Sequence, residues 1–193
     1  GLERSSTVAM LRTTAETDQL PTVERRHCKE LHQRRKHPSW AFHPGSGSQR
    51  PKLTANIARN NGQDGIFFCW RVKHGTFENN LLESNGRYGV SIGHKDTDNL
   101  IRNNKIVSNA GAGIYFRSET VGMAGRRNTI EQNVIKNNAS AGIHIRGATN
   151  GLVMRDNIVS QPKTLGVVIE SQVGDLSLDG DIVISLFSAR LSL

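Results

Sequence analysis

An internal repeat constrains this sequence more than any other feature. Asparagine recurs at intervals of 24, 24, 29 and 24 residues, at Asn56, Asn80, Asn104, Asn133 and Asn157. A second asparagine column follows five residues later, at Asn61, Asn85, Asn109 and Asn138. A weaker sixth unit places Asp181 where the next first-column asparagine is expected. A repeat that keeps its spacing over five units indicates a stacked solenoid.

Glycine and apolar residues recur with the same spacing as the asparagines. The glycine column consists of Gly65, Gly89, Gly113, Gly142 and Gly166. Two apolar residues, two positions apart, follow each glycine: Ile66 and Phe68, Val90 and Ile92, Ile114 and Phe116, Ile143 and Ile145, Val167 and Ile169. Another apolar column precedes the first asparagines, at Leu53, Phe77, Ile101, Ile130 and Met154, with Leu178 in the weaker unit. Because glycine tolerates positive φ, we expect its column at a backbone bend of that kind.

Two classes of solenoid have repeats near this length. Leucine-rich repeats need leucine at most core positions, whereas the core columns here hold Ile, Val and Phe, which favour strands. The segment after the strand is polar, as in residues 93–98. We therefore predict an all-β fold, a right-handed parallel β-helix with about five full coils and a partial sixth, whose hand follows the rule for parallel crossovers. The domain is assigned to residues 52–193, with recognisable repeats over 52–184.

The asparagine columns have a physical explanation in such a stack. Successive coils lie about 4.8 Å apart, one strand spacing. Identical amides at that spacing hydrogen-bond to each other along the stack. A lone buried amide would be costly, so the columns predict asparagine ladders.

Residues 1–51 have a different character. They contain four of the seven histidines, four of the five prolines and the basic run 34–37. No apolar period persists there, and residues 44–48 have the composition of a linker. We expect a poorly ordered or peripheral N-terminal segment; the alternative is an arm that binds a polyanion.

Composition limits the class of protein. Two cysteines are too few for a disulfide scaffold, and no apolar run is long enough to cross a membrane. The formal charge of +8 suits a polyanionic partner. No signal peptide is recognisable in a chain that begins at Gly1, so we expect a fragment of a longer protein and leave its compartment open.

The motif Asn133-Val-Ile-Lys-Asn-Asn138, followed by Ala141-Gly-Ile-His-Ile145, recurs in the other coils. With it, residues 52–184 resemble the right-handed parallel β-helix repeat proteins of the pectin-lyase-like superfamily. That superfamily includes polysaccharide lyases, glycoside hydrolases, epimerases, tailspikes and adhesins, so the resemblance implies the fold and a secreted or cell-surface parent. It does not select one activity.

Residues whose side chains can bind or react with a ligand cluster on one face of the predicted solenoid. The outward residues of the Gly-Ile-x-Ile strands are Phe67, Ser91, Tyr115, His144 and Val168. The next position holds Cys69, Gly93, Arg117, Arg146 and Glu170. A five-residue insertion lies within residues 117–127. Aromatic faces stack on sugars, and guanidinium groups bind carboxylates bidentately.

These residues provide the candidate site. The catalytic candidates are Arg146, Arg117, His144 and His94; the substrate-binding candidates are Tyr115, Trp70, Arg71, Lys95 and Glu119. We expect Arg117 and Arg146 side by side in adjacent coils, one holding a uronate carboxylate and the other acting as a base whose pKa its neighbour lowers. In the alternative, Glu119 neutralises Arg117. Asp96 and Asp98 either hold Ca²⁺ or bind turn amides.

Comparison within the superfamily favours one chemistry. Ser91-Ile-Gly-His94 is similar to a polygalacturonase-type strand, but the Asn-Thr-Asp, Asp-Asp and Arg-Ile-Lys motifs of those hydrolases are missing. Pectate-lyase-like enzymes use Arg or Lys as the base of a β-elimination, often beside Ca²⁺-binding carboxylates, and the resemblance implies the same residue types here. The leading hypothesis is lyase chemistry on an acidic polysaccharide; the alternative is a non-catalytic binding or structural solenoid. We expect a monomer with no nucleic-acid partner, no membrane span and no required cofactor, Ca²⁺ being the one candidate.

Overall fold

The computed structural model describes residues 40–185, which form seventeen short strands and no helix. The strands, numbered along the chain, form three parallel sheets. The first sheet contains β1 (Lys52–Thr54), β4 (Thr76–Glu78), β7 (Leu100–Arg102), β10 (Thr129–Glu131), β13 (Leu152–Arg155) and β16 (Leu176–Asp179). The second contains β2 (Ile57–Arg59), β5 (Leu81–Glu83), β8 (Lys105–Val107), β11 (Val134–Lys136), β14 (Ile158–Gln161) and β17 (Ile182–Ser185). The third contains β3 (Ile66–Phe67), β6 (Val90–Ile92), β9 (Ile114–Phe116), β12 (Ala141–Ile145) and β15 (Leu165–Ile169).

Every strand pairs with the equivalent strand of the next coil, which is the topology of a parallel β-helix. The repeat columns set the register: Leu53 pairs with Phe77, Phe77 with Ile101, and Ile101 with Ile130. These side chains stack inside the solenoid, each no more than 2% exposed. The predicted fold, a right-handed parallel β-helix, is confirmed.

The solenoid begins before Lys52. Phe42 pairs in parallel with Ile66 and is buried in the core, and Gln49 pairs with Lys73. Phe42 precedes Ile66 by 24 residues, so the inward apolar column extends one coil further back. Residues 40–51, expected to belong to a poorly ordered or peripheral N-terminal segment, are therefore part of a preceding coil. Residues 1–39, including the basic run, and residues 186–193 lie outside the described part of the chain.

Both predicted asparagine ladders form. In the first, each Nδ2 donates to the Oδ1 of the next coil at 2.9–3.1 Å from Asn56 to Asn157, and Asn157 donates to Asp181 at 2.7 Å. The second joins Asn61, Asn85, Asn109 and Asn138 at 2.7–2.9 Å. A short third ladder, not anticipated from the repeat, joins Asn99 to Asn128 at 3.0 Å.

The expectation for the glycine column is wrong. None of the five column glycines has positive φ; within the described chain, the residues before the first-ladder asparagines do, with φ of 52–57° at Ala55, Asn79, Asn103, Gln132 and Asp156. The column needs glycine for space. A Cβ on Gly89 would lie 2.6 Å from the carbonyl oxygen of Gly113, and one on Gly113 would lie 2.7 Å from that of Gly142. The next coil therefore excludes a side chain here.

Candidate functional site on the third sheet

The outer face of the third sheet carries the outward residues that the repeat predicts. Phe67 pairs with Ser91, Ser91 with Tyr115, and Tyr115 with His144. Tyr115 and His144 are half-buried, whereas Ser91 is buried. Parallel pairing thus places the Tyr115 and His144 rings directly beside each other.

Four side chains from three successive coils form one hydrogen-bonded cluster, which we call the Arg146 cluster: Tyr115, His144, Arg146 and Glu170. Arg146 Nη1 donates to the Tyr115 hydroxyl at 2.7 Å, and Arg146 Nε donates to Glu170 Oε1 at 2.5 Å. His144 Nε2 lies 3.3 Å from the same Glu170 oxygen. The His144 and Tyr115 rings meet edge to face, with centroids 5.6 Å apart. The cluster is partly open to solvent, since Arg146 and Glu170 are 34% and 35% exposed.

The surroundings set the charges of this cluster. Burial lowers the pKa of His144, and Arg146 adds to this against the opposing effect of Glu170, so the neutral ring dominates at pH 7. We assign its proton to Nε2, because the Glu170 carboxylate can only accept. Hydrogen bonds to Tyr115 and Glu170 raise the pKa of Arg146. Partial burial opposes ionisation of Glu170, but its contacts with Arg146 and His144 prevail and lower its pKa.

The expected pair of adjacent guanidinium groups is replaced by two separate ion pairs. Arg146 binds Glu170, and the pKa of Arg146 is raised, which is opposite to what an arginine base requires. Arg117 instead reaches back across two coils: Nη2 donates to Asp96 Oδ2 at 3.1 Å and to the Phe68 carbonyl at 2.8 Å. Each arginine is paired with its own carboxylate, and the expectation that one arginine lowers the pKa of the other is wrong: burial lowers the pKa of Arg117, and that of Arg146 is raised.

Arg117 is largely buried and connects neighbouring coils. Its side chain is 14% exposed, Nη1 donates to Ser91 Oγ at 2.9 Å, and its guanidinium carbon lies 4.8 Å from the Phe67 ring centroid. Burial lowers its pKa, against the opposing charge of Asp96. All of these partners are protein groups, so Arg117 clamps the coils together below the exposed face. Glu119, considered as its neutralising partner, binds His94 instead, with His94 Nε2 and Glu119 Oε1 2.8 Å apart.

Asp96 and Asp98 do not come together as a metal site. Asp96 is fully buried; it accepts from the Val72 amide at 3.0 Å and the Gly93 amide at 3.0 Å, so it binds turn amides. Asp98 is held bidentately by Arg127 at 2.7 and 2.9 Å. Their oxygens are committed to these donors and do not fit Ca²⁺. Residues 40–185 contain no cluster of three or more His, Cys, Asp or Glu side chains arranged to hold a metal.

The remaining candidates line the edge where the strands of the third sheet end. Trp70 is 43% exposed, with its ring 5.9 Å from His94 and 5.8 Å from the Arg71 guanidinium. His94 also lies 3.2 Å from the Cys69 carbonyl oxygen, and Lys95 is exposed. This edge group is Trp70, Arg71, His94, Lys95 and Glu119; among the described side chains, no hydrogen bond, ion pair or ring contact joins it to the Arg146 cluster.

The five-residue insertion lies beside this edge. It emerges after β9 and rejoins the stack where Arg126 pairs with Thr97. The amide of Lys95 donates to the Met123 carbonyl, and the amide of Ala148 donates to the Glu119 carbonyl. The insertion is thus fixed between neighbouring coils and leaves the register of all three sheets unchanged.

Sequence reasoning omitted two residues from the site. Glu170 follows Arg117 and Arg146 in the same column, and that column was the available signal. Tyr88 precedes Gly89 rather than following it, outside the columns that define the repeat. Its ring stacks on Tyr115 with centroids 4.0 Å apart and an interplanar angle of 6°.

Comparisons with known proteins agree with this architecture. The family described as "Right handed beta helix region" matches residues 46–183. The chain belongs to the right-handed β-helix family. The match also starts before Lys52, as the β-helix itself does. No curated protein matches the chain.

Two solved β-helix structures are similar to this one. The crystal structure of the periplasmic alginate epimerase AlgG has a TM-score of 0.65 at 14% identity and covers 77% of this chain. A mutant of the same enzyme gives a TM-score of 0.61 at 15% identity and covers 74%. This chain spans 36% of the length of either structure. At this level of identity the likeness establishes the fold.

Within residues 40–185, no helix has the length and apolar character needed to span a bilayer.

Proposed function

We propose that this β-helix binds an acidic polysaccharide along the outer face of the third sheet and acts on a uronate residue by lyase-type β-elimination. The observation that carries the proposal is the Arg146 cluster: a cation, an imidazole and a phenol on adjacent coils, partly open to solvent. Removing the proton beside a carboxylate requires a cation for the carboxylate and a base for the carbon. The cluster contains both.

Arg146 is the group for the carboxylate. Glu170 engages Nε and Tyr115 engages Nη1, so contacts on two sides fix the plane of the guanidinium. Within residues 40–185 no hydrogen bond from Nη2 is seen, so Nη2 is left to donate end-on to a substrate carboxylate. A fixed cation stabilises the negative charge that develops as the proton leaves. The raised pKa of Arg146 suits this role and not that of a base.

His144 is the base and Tyr115 the proton donor. With the His144 proton on Nε2 toward Glu170, Nδ1 is left as an acceptor, and burial keeps the ring neutral. In the proposed step, His144 takes the C5 proton, and the C5–H electron pair forms the C4–C5 double bond. The glycosidic C4–O bond breaks, and its oxygen takes the Tyr115 proton.

A second outcome shares the first half of this reaction. The structurally similar protein AlgG is an alginate epimerase. If the carbanion is reprotonated at C5 on the opposite face, the same base and cation produce an epimer and no bond to O4 breaks. Epimerisation is therefore the second candidate function.

One assay separates these functions. The chain is incubated with alginate, pectate and a glycosaminoglycan, in Ca²⁺ or chelator. Ultraviolet absorbance measures unsaturated product, and proton NMR of the polymer measures epimer composition. We expect unsaturated product, at least about 100-fold less of it from Arg146→Ala, and partial activity from Arg146→Lys.

Arg155→Ala is the matched control. Arg155 pairs with Glu131 across coils at 2.8 Å, as Arg146 does with Glu170, but it lies on the first sheet. It should leave activity unchanged. If no polymer is altered and Arg146→Ala binds the polymers as well as the parent chain does, the catalytic proposal fails. A non-catalytic solenoid then remains.

A further inference from the structure

A row of positively charged side chains lies on the turns that follow the third sheet. Each is exposed or half-buried, and together we call them the basic ridge: Arg50, Arg71, Lys73, Lys95 and Arg126. The backbone keeps the row in register, because Lys73 and Arg126 pair with the same residue, Thr97, from opposite sides. The Arg50 amide likewise donates to the Lys73 carbonyl at 2.8 Å. The basic ridge therefore crosses four successive coils along the solenoid axis, and neighbouring coils lie about 4.8 Å apart.

The protein does not neutralise these charges. The exposed carboxylates nearby have other partners, since Asp98 is held by Arg127 and Glu119 by His94. Among residues 40–185, no hydrogen bond or ion pair joins a side chain of the basic ridge to a carboxylate. The basic ridge is thus a line of free cations.

On the outer face of the first sheet, by contrast, cations are matched with carboxylates one coil away. Arg102 donates to Glu78 at 2.7 Å, and Arg155 donates to Glu131 at 2.8 Å. Like charges opposite each other on neighbouring strands destabilise a sheet, and this pairing avoids that cost. The basic ridge lacks such pairing, so an anionic ligand lying along it would relieve repulsion between its coils.

The arrangement of the basic ridge fits a polymer that carries a carboxylate on each unit. Its cations recur from coil to coil along one line, and a polyuronate carries one carboxylate on every sugar. Trp70 lies beside Arg71 and is the one exposed Phe, Tyr or Trp side chain in residues 40–185. Proteins that bind single-stranded nucleic acids stack successive bases on several aromatic side chains. The basic ridge offers one ring, which favours an acidic polysaccharide over a nucleic acid.

We propose that the basic ridge is a second binding surface for the acidic polysaccharide, which holds the polymer along the solenoid axis and leads to the Arg146 cluster. Arg126 follows β9, and Arg146 follows β12, the neighbouring strand of the third sheet, so the basic ridge ends one coil before the cluster. The identity of the polymer rests on the proposed function, whereas charge-dependent binding at the basic ridge does not. Chains long enough to span both surfaces gain affinity from the second contact, and short chains do not.

Binding is measured by calorimetric titration with polygalacturonate and with alginate. The Arg146→Ala background prevents consumption of the polymer. In this background, combining Lys73→Gln, Lys95→Gln and Arg126→Gln should raise Kd about tenfold, the size expected for three exposed ion pairs. Affinity should also fall less steeply with added salt than it does without these three substitutions.

A second triple variant is the matched control for charge. It combines substitutions of three exposed lysines on the first and second sheets, namely Lys52→Gln, Lys105→Gln and Lys136→Gln. The loss of formal charge is identical, but the basic ridge is intact, so Kd should change by less than about twofold. If the ridge variant melts at a lower temperature than this control, the single variants Lys73→Gln and Lys95→Gln replace it, each with an expected increase in Kd of about twofold.

Four results would overturn the inference. The first is equal affinity in the ridge and control variants, and the second is the absence of binding to either polyuronate. The third is equally tight binding of fully methyl-esterified polygalacturonate, which has no carboxylates. The fourth is tighter binding of single-stranded DNA than of the polyuronates at the same salt concentration, which would assign the basic ridge to nucleic acid.

Kinetics with Arg146 present distinguish failure of the basic ridge from failure of the proposed function. The ridge variant should raise KM for long polymers about tenfold with kcat unchanged, and it should leave KM for short oligosaccharides unchanged. If the ridge variant loses affinity but no form of the protein alters a polymer, the proposed function fails and the basic ridge stands. If polymers are altered and KM for long chains is the same in the ridge variant, the basic ridge fails and the proposed function stands.

Discussion

Two arginines that follow neighbouring strands of the third sheet end in different environments. Arg146 stays partly exposed in the Arg146 cluster, whereas Arg117 lies over the Phe67 ring and reaches the buried Asp96. The position in the repeat is the same, and the partners differ. Asp96 takes the column position that Val72 holds one coil earlier, and this one acidic residue gives Arg117 an internal partner.

Removing Arg117 should destabilise the protein strongly. Arg117→Met retains most of the apolar stem but leaves Asp96 buried without its cation, a loss of about 3–5 kcal/mol in the free energy of unfolding. Arg127→Met is the matched control, because Arg127 is 62% exposed in its pair with Asp98; we expect a loss of about 0–1 kcal/mol there. Denaturant unfolding measures both. Similar losses would show that burial of the Arg117 pair does not matter.

Asp96 should also make stability depend on pH. Burial raises its pKa to about 7, against the lowering effect of the amides and Arg117. The folded protein therefore binds a proton more tightly than the unfolded chain does, so this stabilisation is complete below the unfolded pKa of about 4 and is lost as pH rises toward 7. We expect the free energy of unfolding to fall by at most about 4 kcal/mol over that window. In Asp96→Asn this decrease should disappear; an identical pH dependence in both proteins would assign it to other groups.

At the scale of elements, the turns, ladder asparagines and glycines between the short strands hold the strands in place. A residue with positive φ follows each of the first five strands of the first sheet, and a ladder asparagine comes next. From Asn80 onward, the Oδ1 of that asparagine accepts the amide of the asparagine one coil earlier, as Asn104 does from Asn80. The glycine column lies at or near the start of the third-sheet strands, where the following coil occupies the space of a Cβ. Sequence alone identified both columns and the ladder role of asparagine, but it expected positive φ at glycine, whereas positions such as Ala55 and Gln132, just before the ladder asparagines, adopt it.

A substitution in the glycine column tests this explanation. Gly113→Ala places a methyl group against the Gly142 carbonyl oxygen and should cost about 1–3 kcal/mol of stability through overpacking. Gly122, in the insertion, does not have positive φ, and no atom of the described residues would lie within 4 Å of a Cβ there. Gly122→Ala should therefore change the melting temperature little. A neutral Gly113→Ala would mean that the coils can move apart at no cost.

At the scale of the whole molecule, the ladders run parallel to the solenoid axis and give interior and terminal positions different numbers of partners. Asn104 donates to Phe77 and Asn133 and accepts twice from Asn80. Asp181, at the end of the described ladder, accepts twice from Asn157. We expect Asn104→Leu to cost more stability than Asp181→Leu, at about 1–3 kcal/mol for each buried group left unpaired. Equal shifts in melting temperature would show that the ladder does not act as a continuous chain.

How much of the structure can be predicted from the sequence depends on the same periodicity. Columns that repeat with the coil, such as Leu53 and its successors, were identified because the same packing environment recurs five times. The site was found only in part because it depends on single residues that break the pattern: Tyr88 lies outside the repeat columns, and the partners of Arg117 and Glu119 depend on side-chain reach across coils. Register is a periodic property, whereas the pairing of long charged side chains is not.

The in-register pairing of the three sheets has a consequence for how such a chain changes in length. Removing or adding a few residues within a strand would take the inward side chains out of register, whereas one whole coil could be excised and the ladders rejoined across the gap. The insertion after β9 shows the other permitted route, because it lengthens one coil from 24 to 29 residues and still returns Arg126 to pair with Thr97. The length of such a chain can therefore change only in two ways. It changes by complete turns of the solenoid, or by loops that leave the stack and re-enter it in register.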